Sequence, residues 1–373
     1  MDETAFIKEN QMINVTKTYL PDRERFKKYA DRIFDSGWLT NNGQTVRELE
    51  GRLSEYLGVE NILLVTNGTI ALQVAYRTLG IKGGAVTTPF TFVATASSLV
   101  WEGINPVFCD IDTGTLNITP ESINKALTRK CSAIVPVHVF GNACLVDEIG
   151  ELATGKNLKL VYDAAHAFGI KYKGKSLLSY GDASAISFHS TKIFHTIEGG
   201  AIVFRNKEDI ERARLMINFG ISGYDKVSDI GINGKMNEFQ AAMGLCVLED
   251  MPSILKNREL VYNNYFEAFS GHDELRLQSR NPDADNNWAY FPVIFNTNVI
   301  RERVFSKLYE NGIFARRYFS PSLEILPYLR KKKSMKVSES TASRILCLPI
   351  YESLSNDDQG RIIDIVISAI AGQ

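Results

Sequence analysis

Short apolar runs alternate with amphipathic stretches from Asn61 onward. Ile62-Leu63-Leu64-Val65 is brief and unbroken by a polar residue, the pattern of a strand buried on both faces. Helical spacing follows over residues 69–79, and further strand runs come at 85–87, 106–108, 133–137, 158–162, 185–188 and 201–204. Strand and helix in rotation predict a largely parallel sheet flanked by helices. Upstream, residues 26–36 and 46–57 carry helical patterns, and Gly37-Trp38-Leu39-Thr40-Asn41-Asn42-Gly43 between them has the chemistry of a turn. Beyond Met251 the order changes to a long helix pattern, strand-like runs at 290–295 and 314–316, and a closing helix near 358–370. The expectation is an α/β protein with a large unit over residues 1–250 and a smaller α/β unit over residues 251–373, without internal repeats.

Length and composition change this picture little. A chain of 373 residues is long enough to bury two cores. Its 42 Lys and Arg stand against 43 Asp and Glu, and no stretch concentrates one sign, so a nucleic-acid partner is not expected. Lys331-Lys332-Lys333 is the exception and reads as a solvated turn. Cys109, Cys131, Cys144, Cys246 and Cys347 are scattered without a C-x-x-C pair, as reduced core residues would be, and no metal site is expected. The start of the chain lacks a charged-then-apolar leader, and no apolar run reaches the ~18 residues of a membrane span. A cytoplasmic protein is the expectation, with residues 1–11 preceding the patterned part of the chain.

Gly169-Ile170-Lys171-Tyr172-Lys173-Gly174-Lys175-Ser176 matches the G-x-x-x-x-G-K-S phosphate loop letter for letter. A true phosphate loop is small and flexible and opens a helix. Here bulky apolar and charged residues alternate up to Gly174-Lys175, which predicts a hairpin instead. A G-x-G-x-x-G fingerprint is also absent from the sequence.

Four segments carry candidate chemistry. The first is Ser187-Phe188-His189-Ser190-Thr191-Lys192-Ile193-Phe194-His195-Thr196-Ile197-Glu198-Gly199-Gly200. It sets a lysine among apolar residues after a strand, where desolvation lowers an amine's pKa from about 10.4. Such lysines form Schiff bases with carbonyl compounds such as pyridoxal phosphate; a lysine at a strand end also commonly snorkels to the surface. The second segment, Leu160-Val161-Tyr162-Asp163-Ala164-Ala165-His166, puts an acid at the carboxyl end of a strand. That acid would face a protonated pyridine nitrogen or cap a helix. In the third, Thr66-Asn67-Gly68-Thr69-Ile70, a strand breaks into a helix, so Gly68 and Thr69 sit at an anion site or a simple cap, with Ser187 able to add a hydroxyl. In the fourth, Thr88-Pro89-Phe90-Thr91-Phe92, the Phe92 ring would either stack on a cofactor or pack in the core.

Together and in this order, these segments resemble the DegT-type family of nucleotide-sugar aminotransferases, within the fold-type I pyridoxal-phosphate enzymes. The likeness runs from about Trp38 to Leu348-Pro349-Ile350-Tyr351-Glu352, and the combination of segments is far more specific than any one piece. It implies that Lys192 carries pyridoxal 5′-phosphate and that Asp163 partners the ring nitrogen. It further places His166 near the cofactor's hydroxyl, Gly68, Thr69 and Ser187 on the phosphate, and Phe92 on the ring. Gly231-Ile232-Asn233-Gly234-Lys235-Met236 resembles the family's G-x-N-x-K/R-M segment, which implies that Asn233 reaches the phosphate of a second subunit in a homodimer with shared active sites. Arg316, Arg317 and Tyr318 resemble a segment near the sugar nucleotide. At Ile217 the chain departs from the family, where a basic residue is common.

Within the family, Ser187-Phe188-His189 with Glu198-Gly199-Gly200 is similar to the branch that aminates C4 of the sugar; members acting at C3 more often carry Tyr-Pro and Gly-Asp in these places. The implied reaction moves an amino group from L-glutamate to C4 of a nucleotide-linked 4-keto-6-deoxy sugar. For dTDP-4-keto-6-deoxy-D-glucose the product is dTDP-4-amino-4,6-dideoxy-D-glucose, a step in deoxyamino-sugar and O-antigen biosynthesis. The alternatives are amination at C3 or of a UDP- or GDP-linked sugar, and a non-catalytic nucleotide-sugar-binding protein on the same fold. A dehydratase of this family would carry histidine where Lys192 stands.

Overall fold

The computed structural model of the chain describes residues 12–329 and 333–372. Residues 1–11 lie outside that description, as do Lys331 and Lys332 of the basic cluster. Among the described residues, a seven-stranded sheet has the spatial order Ile62–Val65, Gly200–Phe204, Ala183–Ser187, Lys159–Asp163, Cys131–Val135, Gly84–Thr87 and Asn105–Phe108. All neighbours are parallel except at Gly200–Phe204, which runs antiparallel to the strands on both sides of it. The α/β expectation is met, and each strand lies within a few residues of the run that predicted it.

The apolar runs are unbroken because both faces of the sheet are covered. Leu63, Val65, Ala133, Val135 and Ile202 join one core with Leu72, Ala75 and Ala213. Their sequence neighbours Ile62, Leu64, Ile134, Ala201 and Val203 turn to the other core, with Leu49, Leu53, Leu245 and Phe188. The period of two along a strand thus divides one hydrophobic run between two cores.

The phosphate-loop look-alike is a hairpin, as expected: Lys171–Tyr172 pairs antiparallel with Lys175–Ser176. The two turn residues, Lys173 and Gly174, both have positive φ, at 49° and 77°, as a tight two-residue hairpin turn requires.

Beyond the large sheet, Leu275–Leu277, Phe291–Phe295 and Ile345–Leu348 form a three-stranded antiparallel sheet. The helices Glu238–Phe269, Asn298–Glu310 and Asn356–Ile370 contribute to its core through Tyr265, Val304 and Ile362. The strand-like run at 314–316 does not enter this sheet. Ile313–Phe314 pairs with Ile13–Asn14 instead, and Arg316 makes a single bridge to Cys347. The sheet is completed by Ile345–Leu348, which follows the Lys336–Arg344 helix without a turn residue to announce it.

The long helix begins earlier than its apolar pattern suggested, at a reciprocal cap in which Asn237 accepts from the Gln240 N–H and Gln240 accepts from the Asn237 N–H. It runs through Pro252, so the division expected after residue 250 falls inside one helix. No described helix is long and apolar enough to cross a membrane.

Glu238, the first residue of this helix, is 2% exposed, and its carboxylate accepts from the Thr45 N–H at 2.7 Å and the Val46 N–H at 3.3 Å. It therefore caps the Gln44–Leu57 helix, whose preceding residue, Gly43, has no side chain to do so. Glu238→Ala strands two buried donors and is expected to cost about 2 kcal/mol, seen as a lower urea midpoint with an unchanged slope.

Candidate active site

Six of the seven strands run in one direction and end at the same edge of the large sheet, the place where open α/β sheets receive their ligands. A cavity of about 540 Å³ opens there, lined by Gly68, Thr69, Phe92, Asp163, His166, Ser187, Lys192, Arg316 and Tyr318 among others. Nine of the eleven site residues expected from sequence thus come together, although they lie as far apart as positions 68 and 318. A smaller cavity of about 170 Å³ lies beside the Glu50–Arg214 ion pair and Lys235. There the Lys235 amine donates to the Asn218 side chain and the Glu50 carboxylate is taken by Arg214, so neither is left for a ligand as Lys192 and Asp163 are.

Lys192 sits in the irregular segment after Ala183–Ser187, where its N–H donates to the His189 carbonyl in a turn anchored by buried Phe188 and Phe194. Its Nζ lies 3.1 Å from the Tyr290 hydroxyl. Removal from water pushes the amine pKa down to about 8, against an upward pull from Asp163. The amine is turned inward and does not snorkel.

Asp163, 6% exposed, ends its strand. No helix starts there, so the carboxylate is not a helix cap. It accepts from the Thr95 hydroxyl at 2.7 Å and the Ala165 N–H at 3.1 Å. Burial pushes its pKa up, while these bonds and Lys192 pull it down. His166 accepts the Phe140 N–H on Nδ1 at 3.2 Å, and burial holds its pKa well below the ordinary value. It is therefore a neutral ring with its proton on Nε2.

The strand Ile62–Val65 leads through Asn67 into the Gly68–Thr78 helix. Asn67 takes the Ile70 N–H on its side chain and the Ala71 N–H on its carbonyl, which leaves the N–H groups of Gly68 and Thr69 for an anion. A Cβ on Gly68 would come 2.8 Å from the Ser187 Cβ, and one on Gly200 would come 2.6 Å from the Asn67 carbonyl carbon. Glycine at both positions lets three strand ends close around the cradle. Phe92 is 54% exposed although it lines the cavity, so a ring face is left open to a flat partner. Amine, carboxylate, anion cradle and ring face together fit the aldehyde, pyridine nitrogen, phosphate and ring of pyridoxal phosphate.

Two expected residues lie elsewhere. Arg317 is held by Glu302 and stacked 4.1 Å over Phe305, outside the cavity wall. Asn233 is exposed, bridges to Asn218, and does not line the cavity of its own chain. Ile217, where a basic residue is common in the family, is buried beneath Gly234. Tyr290 is not marked as a site residue by the sequence, where its place at the head of a strand is that of a core aromatic. Nor is Thr95, which shares its buried helix face with Ser98, and His189 and Glu198 stand 3.5 Å apart at the cavity wall.

Residues 21–367 match the DegT/DnrJ/EryC1/StrS aminotransferase family. A dTDP-4-amino-4,6-dideoxy-D-glucose transaminase of Shigella dysenteriae is 42% identical over 96% of this chain and 98% of its own length. Its namesake in Escherichia coli is 36% identical over 93% and 96%. Among solved structures, DesI in the presence of its TDP-sugar product superposes with a TM-score of 0.92 at 34% identity, covering 97% of this chain and 94% of DesI. With nearly full-length coverage in sequence and in structure, the chain belongs to the DegT/DnrJ/EryC1/StrS aminotransferase family.

Proposed function

We propose that this chain transfers an amino group from L-glutamate to C4 of a nucleotide-linked 4-keto-6-deoxy sugar, with dTDP-4-keto-6-deoxy-D-glucose as the preferred acceptor. The observation that carries the chemistry is a half-buried, inward-turned amine with a depressed pKa sharing one cavity with a buried carboxylate and a helix N-terminus. The choice of sugar rests on the transaminases that are 42% and 36% identical.

Lys192 would hold the aldehyde carbon of pyridoxal phosphate, Asp163 its ring nitrogen, and Gly68, Thr69 and Ser187 its phosphate. Phe92 would cover the ring, and the Nε2–H of His166 would reach the hydroxyl. When bound, that cofactor supplies an electron sink for charge developing on the carbon beside nitrogen. Asp163 strengthens the sink by keeping the ring nitrogen protonated, at an interaction worth about 4 kcal/mol for a pair ~4 Å apart in an effective dielectric near 20. Lys192 Nζ, once free, would take the proton from the α-carbon of glutamate and pass it to the carbon that had been the cofactor's aldehyde; with the keto-sugar it would take that proton back and deliver it to C4. One amine acting in both half-reactions at one site predicts ping-pong kinetics. Arg316 and Tyr318, on the cavity wall, are placed to meet the substrate's anionic or sugar groups. Asn233, exposed and away from its own cavity, suits a contact across a homodimer.

Incubation with glutamate and a panel of dTDP-, UDP- and GDP-linked keto-sugars, read by product mass and NMR, is expected to give the 4-amino dTDP sugar. A 3-amino product would overturn the regiochemistry, and a purified protein that never bleaches with glutamate would favour the non-catalytic reading. Lys192→Ala is expected to abolish turnover with the fold retained, and borohydride reduction of the wild-type holoprotein to add the cofactor's mass to the Lys192 peptide. Asp163→Asn should slow both half-reactions on the order of a thousandfold, the rate equivalent of that ~4 kcal/mol. Mixing inactive Lys192→Ala with Asn233→Asp should restore part of the activity, because each hybrid dimer keeps one intact site. Activity no greater than the sum of the parents would remove Asn233 from the shared site.

A further inference from the structure

Tyr290 stands where no role has been given to it: its hydroxyl is the hydrogen-bond partner of Lys192 Nζ, at 3.1 Å. We infer that the Tyr290 hydroxyl is a working part of the amine, holding free Lys192 Nζ in the cavity and stabilising its protonated form between the two proton transfers. This inference rests on the transaminase reading and deepens it.

The position of the phenol is fixed from three directions. Arg258, 6% exposed on the Glu238–Phe269 helix, donates to the Trp288 carbonyl at 3.2 Å and the Ala289 carbonyl at 2.9 Å. A buried guanidinium is here used on two backbone carbonyls immediately before Tyr290. Asn287 donates to the carbonyls of His166 and Phe168 at 2.9 and 3.0 Å, tying the same corner to the loop after Asp163. The Tyr290 ring then packs 4.6 Å from the His166 ring and 5.4 Å from Phe140. A ring wanted only for packing could be phenylalanine; the hydroxyl is what touches the amine.

The proton balance is simple. Nζ gains a proton from the donor carbon and becomes an ammonium, one of whose N–H groups the phenol oxygen accepts; the proton then leaves for the acceptor carbon. The phenol keeps its own proton throughout, since burial pushes its pKa above the ordinary value. A hydrogen bond to the ammonium is stronger than one to the neutral amine, so the hydroxyl favours the charged form. The other groups around Nζ are Asp163, which also favours the charge, Arg316, neutral His166, Tyr318, and the His189–Glu198 pair.

The test is Tyr290→Phe, which removes the oxygen and keeps the ring. In cofactor-free protein, competitive acetylation of Lys192 by trace acetic anhydride across pH 6 to 11, read by peptide mass, is expected to show a wild-type midpoint of about 8. In Tyr290→Phe the midpoint should fall by roughly half a unit to one unit. In the holoenzyme kcat should fall about tenfold to a hundredfold with little change in either KM, and the isotope effect from α-deuterated glutamate should rise. A midpoint and kcat both unmoved would overturn the inference, even with a fully active wild type. A shifted midpoint in a chain that never transaminates would instead leave the Tyr290–Lys192 link standing and sink the reading of function. An unchanged thermal midpoint for Tyr290→Phe separates either result from unfolding.

Discussion

An amine held away from water is the constraint around which the rest of the molecule is arranged. Enclosure lowers the pKa of Lys192 to about 8, and the enclosure has to be built from groups that tolerate both its neutral and its charged form. Asp163 alone would fix the charge; an apolar wall alone would remove it. The structure places the carboxylate in the same cavity but anchors it on Thr95 and the Ala165 N–H, and gives the nearest contact to a phenol, which serves either form. Neutral His166 adds a polar ring without a further charge.

The sheet brings these groups together by direction more than by proximity in sequence. Parallel strands deliver Asp163 and Ser187 to one edge because their chain ends point the same way, and Ile62–Val65 delivers the Gly68 helix start beside them. The single antiparallel strand, Gly200–Phe204, fits between because Gly200 has no side chain to strike Asn67. The double glycine after Glu198 thus has a packing reason that is independent of any ligand. The far wall comes from the C-terminal part of the chain, where Tyr290 heads one strand of the small sheet and Arg316 bridges to another.

Much of this was legible in sequence where local chemistry and function coincide. Gly68 announces a strand-to-helix break, Asp163 ends a buried run, and Lys192 stands among apolar residues with a glycine pair after it. Tyr290 was not legible, because an aromatic at a strand start has the same signature whether its hydroxyl meets an amine or solvent. Its role depends on Arg258 and Asn287 fixing a corner through backbone carbonyls, contacts that leave no pattern in spacing. Arg317 misled in the opposite sense. It shares the basic-aromatic segment with Arg316, yet successive residues of an extended chain face opposite ways, and Glu302 and Phe305 claim its guanidinium. Ile345–Leu348 escaped notice because a helix runs into it without a Gly, Pro or Asn between.

The depth of the amine's burial also sets what it can do at neutral pH. A lysine at the ordinary value near 10.4 is neutral in only about one molecule in a thousand at pH 7.4, too few to serve as a base, whereas one at about 8 is neutral in about a fifth. The same shift leaves the ammonium acidic enough to give the proton back, as the role proposed for it, base and then acid within each half-reaction, requires. Deeper enclosure would make a better-populated but weaker base, slower to take the first proton; shallower enclosure would leave too little neutral amine to begin and an ammonium slower to give the proton back. A cavity that pairs burial with one carboxylate on the sheet edge and one phenol on the far wall holds the amine between those limits.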